Sequence, residues 1–225
     1  MGAGKALQWL QDALHNSRTC TDSKLKALGS ELFTLRSQWV FKMHYFVYSP
    51  YMTKIVQIGD TVLRQVAEEV PISDITGPKI QRILKDMKDA LDAEPDGAAL
   101  AAPQIGLPLR IFILSTKVFG PESAHAIAGK DSHYVYINPV IVKKSGKKTL
   151  MDEGCLSVRG KYGNIKRSTH ATIEAYDEQG VKFKRGSGGL LAQAFQHECD
   201  HLEGKLFIDG ALDVWHIKPS DQTDD

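Results

Sequence analysis

Residues 195–204, FQHECDHLEG, constrain this chain more than any other segment, because two histidines stand four residues apart with a glutamate between them. On an α-helix, His197 and His201 lie about 40° apart on one face, so both imidazoles can reach one metal ion. Glu198 flanks the same face. Cys199 lies about 200° from His197, which predicts a small apolar residue that faces away from the ion. The helix should begin after a glycine cluster and end at the glycine that closes this segment.

A catalytic metal site usually has three protein ligands and one open position, so a third ligand must come from elsewhere. The pattern HExxHxxGxxH would supply a histidine, but Phe207 occupies that position. A glutamate from a later helix would have to be Glu203, the only glutamate after the second histidine. Asp209 and Asp213 are conceivable ligands, although neither belongs to a recognised motif. These downstream candidates leave the question open.

Two upstream segments offer better candidates. In DEGCLSVRG, residues 152–160, Cys155 lies among turn-forming glycines, where we expect a short strand to present its thiolate to the helix. In DGAALAAPQIGLP, residues 96–108, small side chains would let a polypeptide approach closely, and Gln104 would bring an amide to the same site. Alone, a cysteine is more often a buried filler and an alanine-rich turn indicates tight packing. We favour Cys155 as the third ligand.

Composition excludes several classes of partner and compartment. The chain has 225 residues, 42% of them hydrophobic and 24% charged, and its formal net charge of +1 is not that of a nucleic-acid or acidic-membrane binder. Three cysteines without a CxxC pair argue against a disulfide scaffold and for a reducing compartment. The N-terminal region has no uninterrupted apolar segment of signal-peptide or membrane-spanning length. We therefore predict a cytoplasmic protein with no membrane or direct nucleic-acid partner.

The chain divides into three regions by pattern. In residues 1–51, leucines recur at helical spacing and predict two short amphipathic helices, an extension whose role is unknown. A packed helical extension, an organellar transit peptide and an upstream translation start are all open explanations for it. Residues 52–216 read as one complete catalytic domain, and residues 217–225 as an acidic polar tail.

Within residues 52–216 the pattern is α+β. Residues 77–93 predict a surface helix that starts near Pro78, because its apolar side chains form one stripe. The stripe comprises Ile80, Ile83, Leu84, Met87 and Leu91. Four runs rich in β-forming residues follow, at 110–114, 133–142, 170–176 and 181–185. We predict antiparallel strands packed around the C-terminal helix that carries HExxH, with a helical N-terminal extension.

Three segments in order resemble the motifs of one family, peptide deformylase. GAALAAPQ at 97–104 resembles GxGLAAxQ with Ala99 in place of the second glycine, while EGCLS at 153–157 and QHExDH at 196–201 match without a difference. The resemblance runs from about Met52 to Ile208. It implies that this protein is an enzyme, which removes the N-formyl group from the N-terminal formyl-methionine of newly made polypeptides and releases formate.

The resemblance also implies roles for individual residues. Cys155, His197 and His201 would hold one divalent metal ion, natively Fe(II), with zinc, nickel or cobalt as substitutes. Glu198 would be the general base. Gln104 and the backbone N–H of Leu156 would stabilise the oxyanion. Six residues would line the substrate pocket: Gly97, Ala98, Ala99, Gly154, Leu190 and Ala194. Gln193 stands where the family's pocket wall is usually apolar.

The implied partners are nascent formyl-methionyl peptides. Many bacterial relatives end in a long basic helix that docks on the ribosome, whereas this chain ends KPSDQTDD, so a ribosome contact would need another route. Two other functions stay open beside the deformylase. One is a metallopeptidase that shares only HExxH and cleaves unformylated peptides. The other is a non-catalytic module in which the metal has four protein ligands, with Cys20 as the fourth.

Overall fold

The computed structural model describes residues 54–116 and 133–216. Two α-helices lie in these ranges, α1 (Pro78–Asp92) and α2 (Gly189–Leu202). The strands are β1 (Ala99–Ala101), β2 (Ile111–Ser115), β3 (His133–Lys144), β4 (Lys148–Gly154), β5 (Lys161–Ser168), β6 (His170–Tyr176), β7 (Lys182–Gly188) and β8 (Asp213–His216). Short 3₁₀ helices span Thr61–Arg64, Ile72–Asp74, Ala102–Ile105 and Phe207–Asp209.

The strands form two antiparallel sheets. The larger sheet has the order β1-β2-β3-β6-β7 and the smaller one the order β4-β5-β8. This arrangement confirms the predicted α+β class with antiparallel strands. The N-terminal extension, the tail at 217–225 and Cys20 lie outside the described residues, and the proposed domain boundaries remain predictions.

At strand β2 the larger sheet is covered on both faces, by α1 on one side and α2 on the other. Along β2, Ile111 and Ile113 pack into the cluster that contains α1, whereas Phe112 and Leu114 pack into the cluster that contains α2. Every residue of β2 is buried, which explains why its first four residues form an uninterrupted apolar run rather than an alternating one. The predicted stripe of α1 is buried throughout, and the helix begins at Pro78 as expected.

Helix α2 is held on the sheet by aromatic packing. The rings of Phe112 and Tyr136 stack at 4.5 Å, and Phe195 of α2 lies 5.4 Å from Tyr136. Cys199 packs against the same cluster, and burial raises the pKa of its thiol to about 12. After α2, Gly204 adopts φ of +69°, and a Cβ there would lie 2.7 Å from the backbone oxygen of Arg64. The helix stop predicted at this glycine thus has a conformational and a packing cause.

No strand of the smaller sheet was predicted from the sequence, β8 included, and β4 and β5 form its longest pair. Their residues are largely polar or glycine and alternate only weakly, so the pairing between the strands, not their composition, stabilises them. The prediction that Cys155 lies on a strand is also wrong. Strand β4 ends at Gly154, and Cys155 is the first residue of the turn that follows.

Neither helix of the described ranges is long and apolar enough to cross a membrane.

Candidate metal centre

The turn after β4 and helix α2 bring three metal-ligating side chains together. Cys155, His197 and His201 each offer one ligand atom, and these atoms all lie within 4.8 Å of one another. The Cys155 Sγ atom is 3.2 Å from Nε2 of His201. Within residues 54–116 and 133–216, no other histidine, cysteine or carboxylate joins the group.

This donor set fits a divalent transition metal. In a tetrahedral site with the sulfur at about 2.3 Å and the nitrogens at about 2.0 Å, ligand atoms are separated by roughly 3.5 Å. The distance of 3.2 Å from Cys155 Sγ to His201 Nε2 is close to that value, and no two of the three atoms are more than 4.8 Å apart. Three ligands from the described residues are the number that catalytic sites use, since the fourth position then serves water or substrate. One thiolate and two imidazoles suit zinc, iron, nickel or cobalt.

Downstream alternatives for the third ligand are engaged elsewhere. The Asp209 carboxylate accepts a hydrogen bond of 3.1 Å from Nη2 of Arg64. Glu203 accepts one of 2.8 Å from Arg110. Phe207, at the position of the third histidine in HExxHxxGxxH, instead stacks its ring 6.4 Å from that of His197. These contacts favour Cys155 over Asp209 and Glu203, and Asp213 does not belong to the cluster of ligand atoms either.

Glu198 lines the cavity beside the three residues and is almost completely buried. In the described part of the chain, no group forms a hydrogen bond with its carboxylate, and Oε2 is fully buried. Burial raises the pKa of Glu198 from 4.5 to about 7, although the nearby charge of His197 opposes the shift. A carboxylate with a pKa near neutrality can both accept and return a proton.

Gln104 is held so that its amide faces the cysteine. Its Oε1 accepts a hydrogen bond of 2.8 Å from the backbone N–H of Ala101. Its Nε2 donates to Ser157 Oγ at 3.2 Å and to Cys155 Sγ at 3.5 Å. These contacts fix which end of the amide is the donor and direct that donor to the cavity.

Leu156 follows the cysteine in the same turn. Its carbonyl accepts a hydrogen bond of 3.0 Å from Nε2 of Gln57, which anchors the turn. Its N–H donates to no group in the described ranges, and the residue lines the cavity. The turn therefore leaves a backbone donor available beside Cys155, as the predicted oxyanion contact requires.

A charged network behind the site was not foreseen. Nδ1 of His197 lies 2.8 Å from Glu153 Oε2, and since a carboxylate accepts, this nitrogen must be the donor. Arg167 binds both oxygens of Glu153, at 2.7 and 2.9 Å, and also binds Asp200 at 2.6 Å. The hydrogen bond to Glu153 leaves Nε2 of His197 as the nitrogen available to a metal. Glu153 was visible only as the first residue of EGCLS.

The network shifts the pKa values of its members. Burial alone would raise the pKa of Glu153, but hydrogen bonds from Arg167 and His197 outweigh it and lower that pKa to about 2. Burial opposes a charge on His197, yet hydrogen bonds with Cys155 and Glu153 raise its pKa well above 6.5. Burial lowers the pKa of His201 well below 6.5, which keeps this imidazole neutral, the form that binds metal.

Two of the candidate ligands, Cys155 and His197, line a cavity of about 620 Å³ together with Glu198, and His201 is buried beside them. Ala98, Ala99, Gly154, Leu190 and Ala194 line the cavity, as predicted for the substrate pocket. Their contact with substrate remains a prediction.

Two small residues near the cavity have packing explanations. Gly97 is buried away from the lining, and a Cβ there would lie 2.7 Å from Leu91 Cδ1 and 2.9 Å from its backbone oxygen. Close packing against the end of α1 thus explains this glycine, and its role in substrate binding stays a prediction. Ala99 pairs with Leu114 in extended β1, and its φ is not positive, so the strand accepts alanine here.

Comparisons with known proteins point to one family. Residues 52–214 match the family described as polypeptide deformylase. Peptide deformylase 1A, chloroplastic/mitochondrial, of Arabidopsis thaliana is 40% identical over 165 residues, which cover 70% of this chain and 61% of the relative. The peptide deformylase of Desulfitobacterium hafniense is 40% identical over 158 residues, which cover 70% of this chain and 93% of the relative. The chain thus spans about three fifths of the Arabidopsis relative's length.

Solved structures agree with these matches. A peptide deformylase from Synechococcus elongatus in complex with actinonin superposes with a TM-score of 0.60 at 30% identity, covering 75% of this chain and 82% of that one. A plant peptide deformylase, PDF1B, gives a TM-score of 0.62 at 34% identity, covering 74% and 84%. Because the family match covers most of the chain and includes every residue of the cysteine–histidine cluster, the chain belongs to the polypeptide deformylase family.

Proposed function

We propose that this protein hydrolyses the N-formyl group of formyl-methionine at the N-terminus of newly made polypeptides and releases formate. One observation carries the proposal: Cys155, His197 and the buried carboxylate of Glu198 line one cavity, and His201 completes a three-ligand metal group beside it. The family membership supplies the substrate class.

The cavity has features that suit this substrate. Leu190 and Ala194 of α2, with Ala98 opposite, would bind an unbranched apolar side chain such as that of methionine. Gly154 lets the ring of Tyr162 pack closely against the other side of the wall, because a Cβ there would lie 2.8 Å from that ring. The formyl group would then lie next to Glu198 and the three ligands.

Proton transfer falls to Glu198. A divalent ion bound by Cys155, His197 and His201 would supply Lewis acidity and lower the pKa of a water molecule. Glu198 accepts a proton from the water molecule while the oxygen of the water adds to the formyl carbon. The C–N bond then breaks, Glu198 returns the proton to the departing amine, and formate is the second product.

The developing oxyanion has two donors within the described residues. Gln104 presents Nε2 towards the cavity, and Leu156 presents an N–H that has no other partner there. Removal of one such donor typically costs about 3 kcal/mol of transition-state stabilisation. The hydrogen bond from Ala101 to Gln104 Oε1 holds this amide in place before substrate binds.

The cell compartment and the native ion belong to the same proposal. We place the protein in the cytoplasm, acting on nascent chains, and take Fe(II) as its native metal. The Arabidopsis relative is named chloroplastic/mitochondrial, so location in an organelle is the alternative. Residues 1–51 would then be the targeting peptide. A fluorescent protein fused to residues 1–51 would stay in the cytoplasm under our proposal and enter an organelle under the alternative.

Metal content and formate release, measured on four proteins, test the proposed function. Wild type should bind one ion per chain and release formate from formyl-Met-Ala-Ser. Glu198→Ala should keep the metal and lose roughly 10²–10⁴-fold in rate, because it removes only the general base. Cys155→Ala should lose metal affinity itself. Glu203→Ala, a matched control on an exposed glutamate paired with Arg110, should behave as wild type.

The same measurements separate the alternatives. A metallopeptidase would cleave unformylated Met-Ala-Ser and keep its metal after Cys155→Ala. A structural site would hold metal in wild type without releasing formate. Either result would overturn the proposed function.

A further inference from the structure

Gln193 is a buried polar residue in the wall of the cavity that the proposed chemistry does not use. It lies on α2 one turn before His197 and is only 6% exposed. Its Nε2 donates to the backbone oxygen of Asp152 at 2.8 Å and to Glu153 Oε1 at 3.3 Å. A buried amide needs such partners, since burial without them is costly.

The second contact completes the set of donors around Glu153. Its Oε1 accepts from Arg167 Nε and Gln193 Nε2, while its Oε2 accepts from Arg167 Nη2 and His197 Nδ1. Each oxygen therefore has two donors, one from β5 and one from α2. With four donors in place, the carboxylate has one orientation, and that orientation sets the ring of His197.

The hydrogen bond from Gln193 to the backbone oxygen of Asp152 affects the position of Cys155. Asp152 lies in β4 three residues before Cys155, so the bond from Gln193 to its carbonyl ties α2 to the strand that delivers the cysteine. Gln193 is thus linked to Cys155 through the backbone and to His197 through Glu153.

We propose that Gln193 is a positioning residue, which fixes the position of Cys155 relative to His197 in the metal site. This inference rests on the proposed metal site, but it assigns Gln193 no contact with the reacting atoms. An apolar residue would fill the same wall and would leave both contacts unmade. Gln196, three residues further along α2, has no such link to the metal site, because its amide bonds only to backbone groups of Ser168 and Ala192.

Zinc retention tests the inference. Gln193→Leu keeps the volume and removes both donated bonds, so zinc-loaded protein in excess chelator should lose its metal about tenfold faster than wild type. This is the low end of the 10–100-fold range for groups that orient metal ligands, because Arg167 still holds Glu153. Gln193→Glu, which places a second carboxylate against Glu153, should lose zinc faster still.

Gln81→Leu is the matched control. Gln81 also donates two bonds from Nε2, to the backbone oxygens of Ile75 and Glu178, each at 2.9 Å, but it lies on α1 away from the site. Its loss should lower Tm and leave the rate of zinc loss unchanged. If Gln81→Leu accelerates zinc loss as much as Gln193→Leu does, the effect is general destabilisation and the inference fails.

A second measurement does not depend on metal. In ¹⁵N-labelled metal-free protein, the Nδ1–H of His197 should give a slowly exchanging NMR signal, and Gln193→Leu should speed its exchange while Gln81→Leu does not. Unchanged exchange together with an unchanged rate of zinc loss in Gln193→Leu would overturn the inference even if wild type releases formate. Conversely, a wild type that releases no formate would end the proposed function while the exchange data still decide the role of Gln193.

Discussion

Substitution of Glu153 by glutamine should destabilise the metal-free protein by about 3 kcal/mol, because it leaves Arg167 with an incomplete partner in a buried position. Both side chains are at most 8% exposed. Removing one partner of a buried ion pair costs about 3–5 kcal/mol, and Asp200, which still binds Arg167, places this case at the low end. The lowering of the pKa of Glu153 from 4.5 to about 2 is consistent with a loss of this order.

The glutamine should also disturb His197. Its amide can direct only one oxygen towards the donors, so its NH₂ group must face a hydrogen of Arg167 or the Nδ1–H of His197. We therefore expect weaker metal binding as well as lower stability.

Thermal and urea unfolding of the metal-free proteins would measure this effect. At neutral pH, Tm should fall by roughly 6–12 °C in Glu153→Gln, given about 2–4 °C per kcal/mol for a chain of this size. Because the pKa of Glu153 is lower in the folded state than in the unfolded state, its stabilisation is fully present above pH 4.5 and is lost as the pH falls through about 2. The difference between wild type and variant should therefore narrow across that range.

Glu174→Gln serves as the control. Glu174 pairs with Lys182 and Lys184 on the exposed surface of β6 and β7, where ion pairs contribute little. Its Tm should equal that of wild type within error. The reasoning about Glu153 would be refuted if its variant unfolded with wild-type stability at neutral pH, or if the difference stayed constant down to pH 2.

Three further predictions concern the packing of Gly97, the identity of the native metal and the need for residues 1–51. Gly97→Ala should lower the free energy of unfolding by about 1–3 kcal/mol, because its Cβ would lie 2.9 Å from the backbone oxygen of Leu91; Gly146→Ala, with no atom within 4 Å, should cost little, and equal losses would contradict the packing argument. Iron-loaded protein should lose formate release in air while nickel-loaded protein keeps it, because oxygen chemistry at iron can oxidise the Cys155 sulfur; equal lifetimes would remove the case for iron. A chain that begins at Met52 should fold and release formate, because the family match begins there; an insoluble product would mean that residues 1–51 cover part of the core.

Helix α2, α1 and the apolar strands could be predicted because their signals are local. Periodicity of 3.6 residues shows a helical face, and β2, β3 and β6 combine β-branched and aromatic residues in short runs. The metal ligands were accessible for a related reason. His197 and His201 lie on one turn of helix, and the motif around Cys155 carries a family resemblance that names it as the third ligand.

What the sequence did not show depends on pairing between distant segments. Strands β4 and β5 alternate weakly, and only their mutual register sets Glu153 opposite Gly163 and places Arg167 beside the carboxylate. Gln193 looked like a polar exception in an apolar wall, although its amide has partners 40 and 41 residues away in the chain. The sequence also did not show that the end of α1 lies against Gly97, whose predicted contact with substrate stays a prediction.

The sequence by itself therefore determined the class of fold, the helix that carries HExxH and the identity of the three candidate ligands. Only the tertiary structure decided which groups orient those ligands and why Glu198 has a pKa near 7. The physical reason is the separation along the chain of the residues that interact. Helix periodicity and strand composition are properties of neighbouring residues. A buried carboxylate network is set by the dielectric and the hydrogen-bond donors that distant segments bring to it.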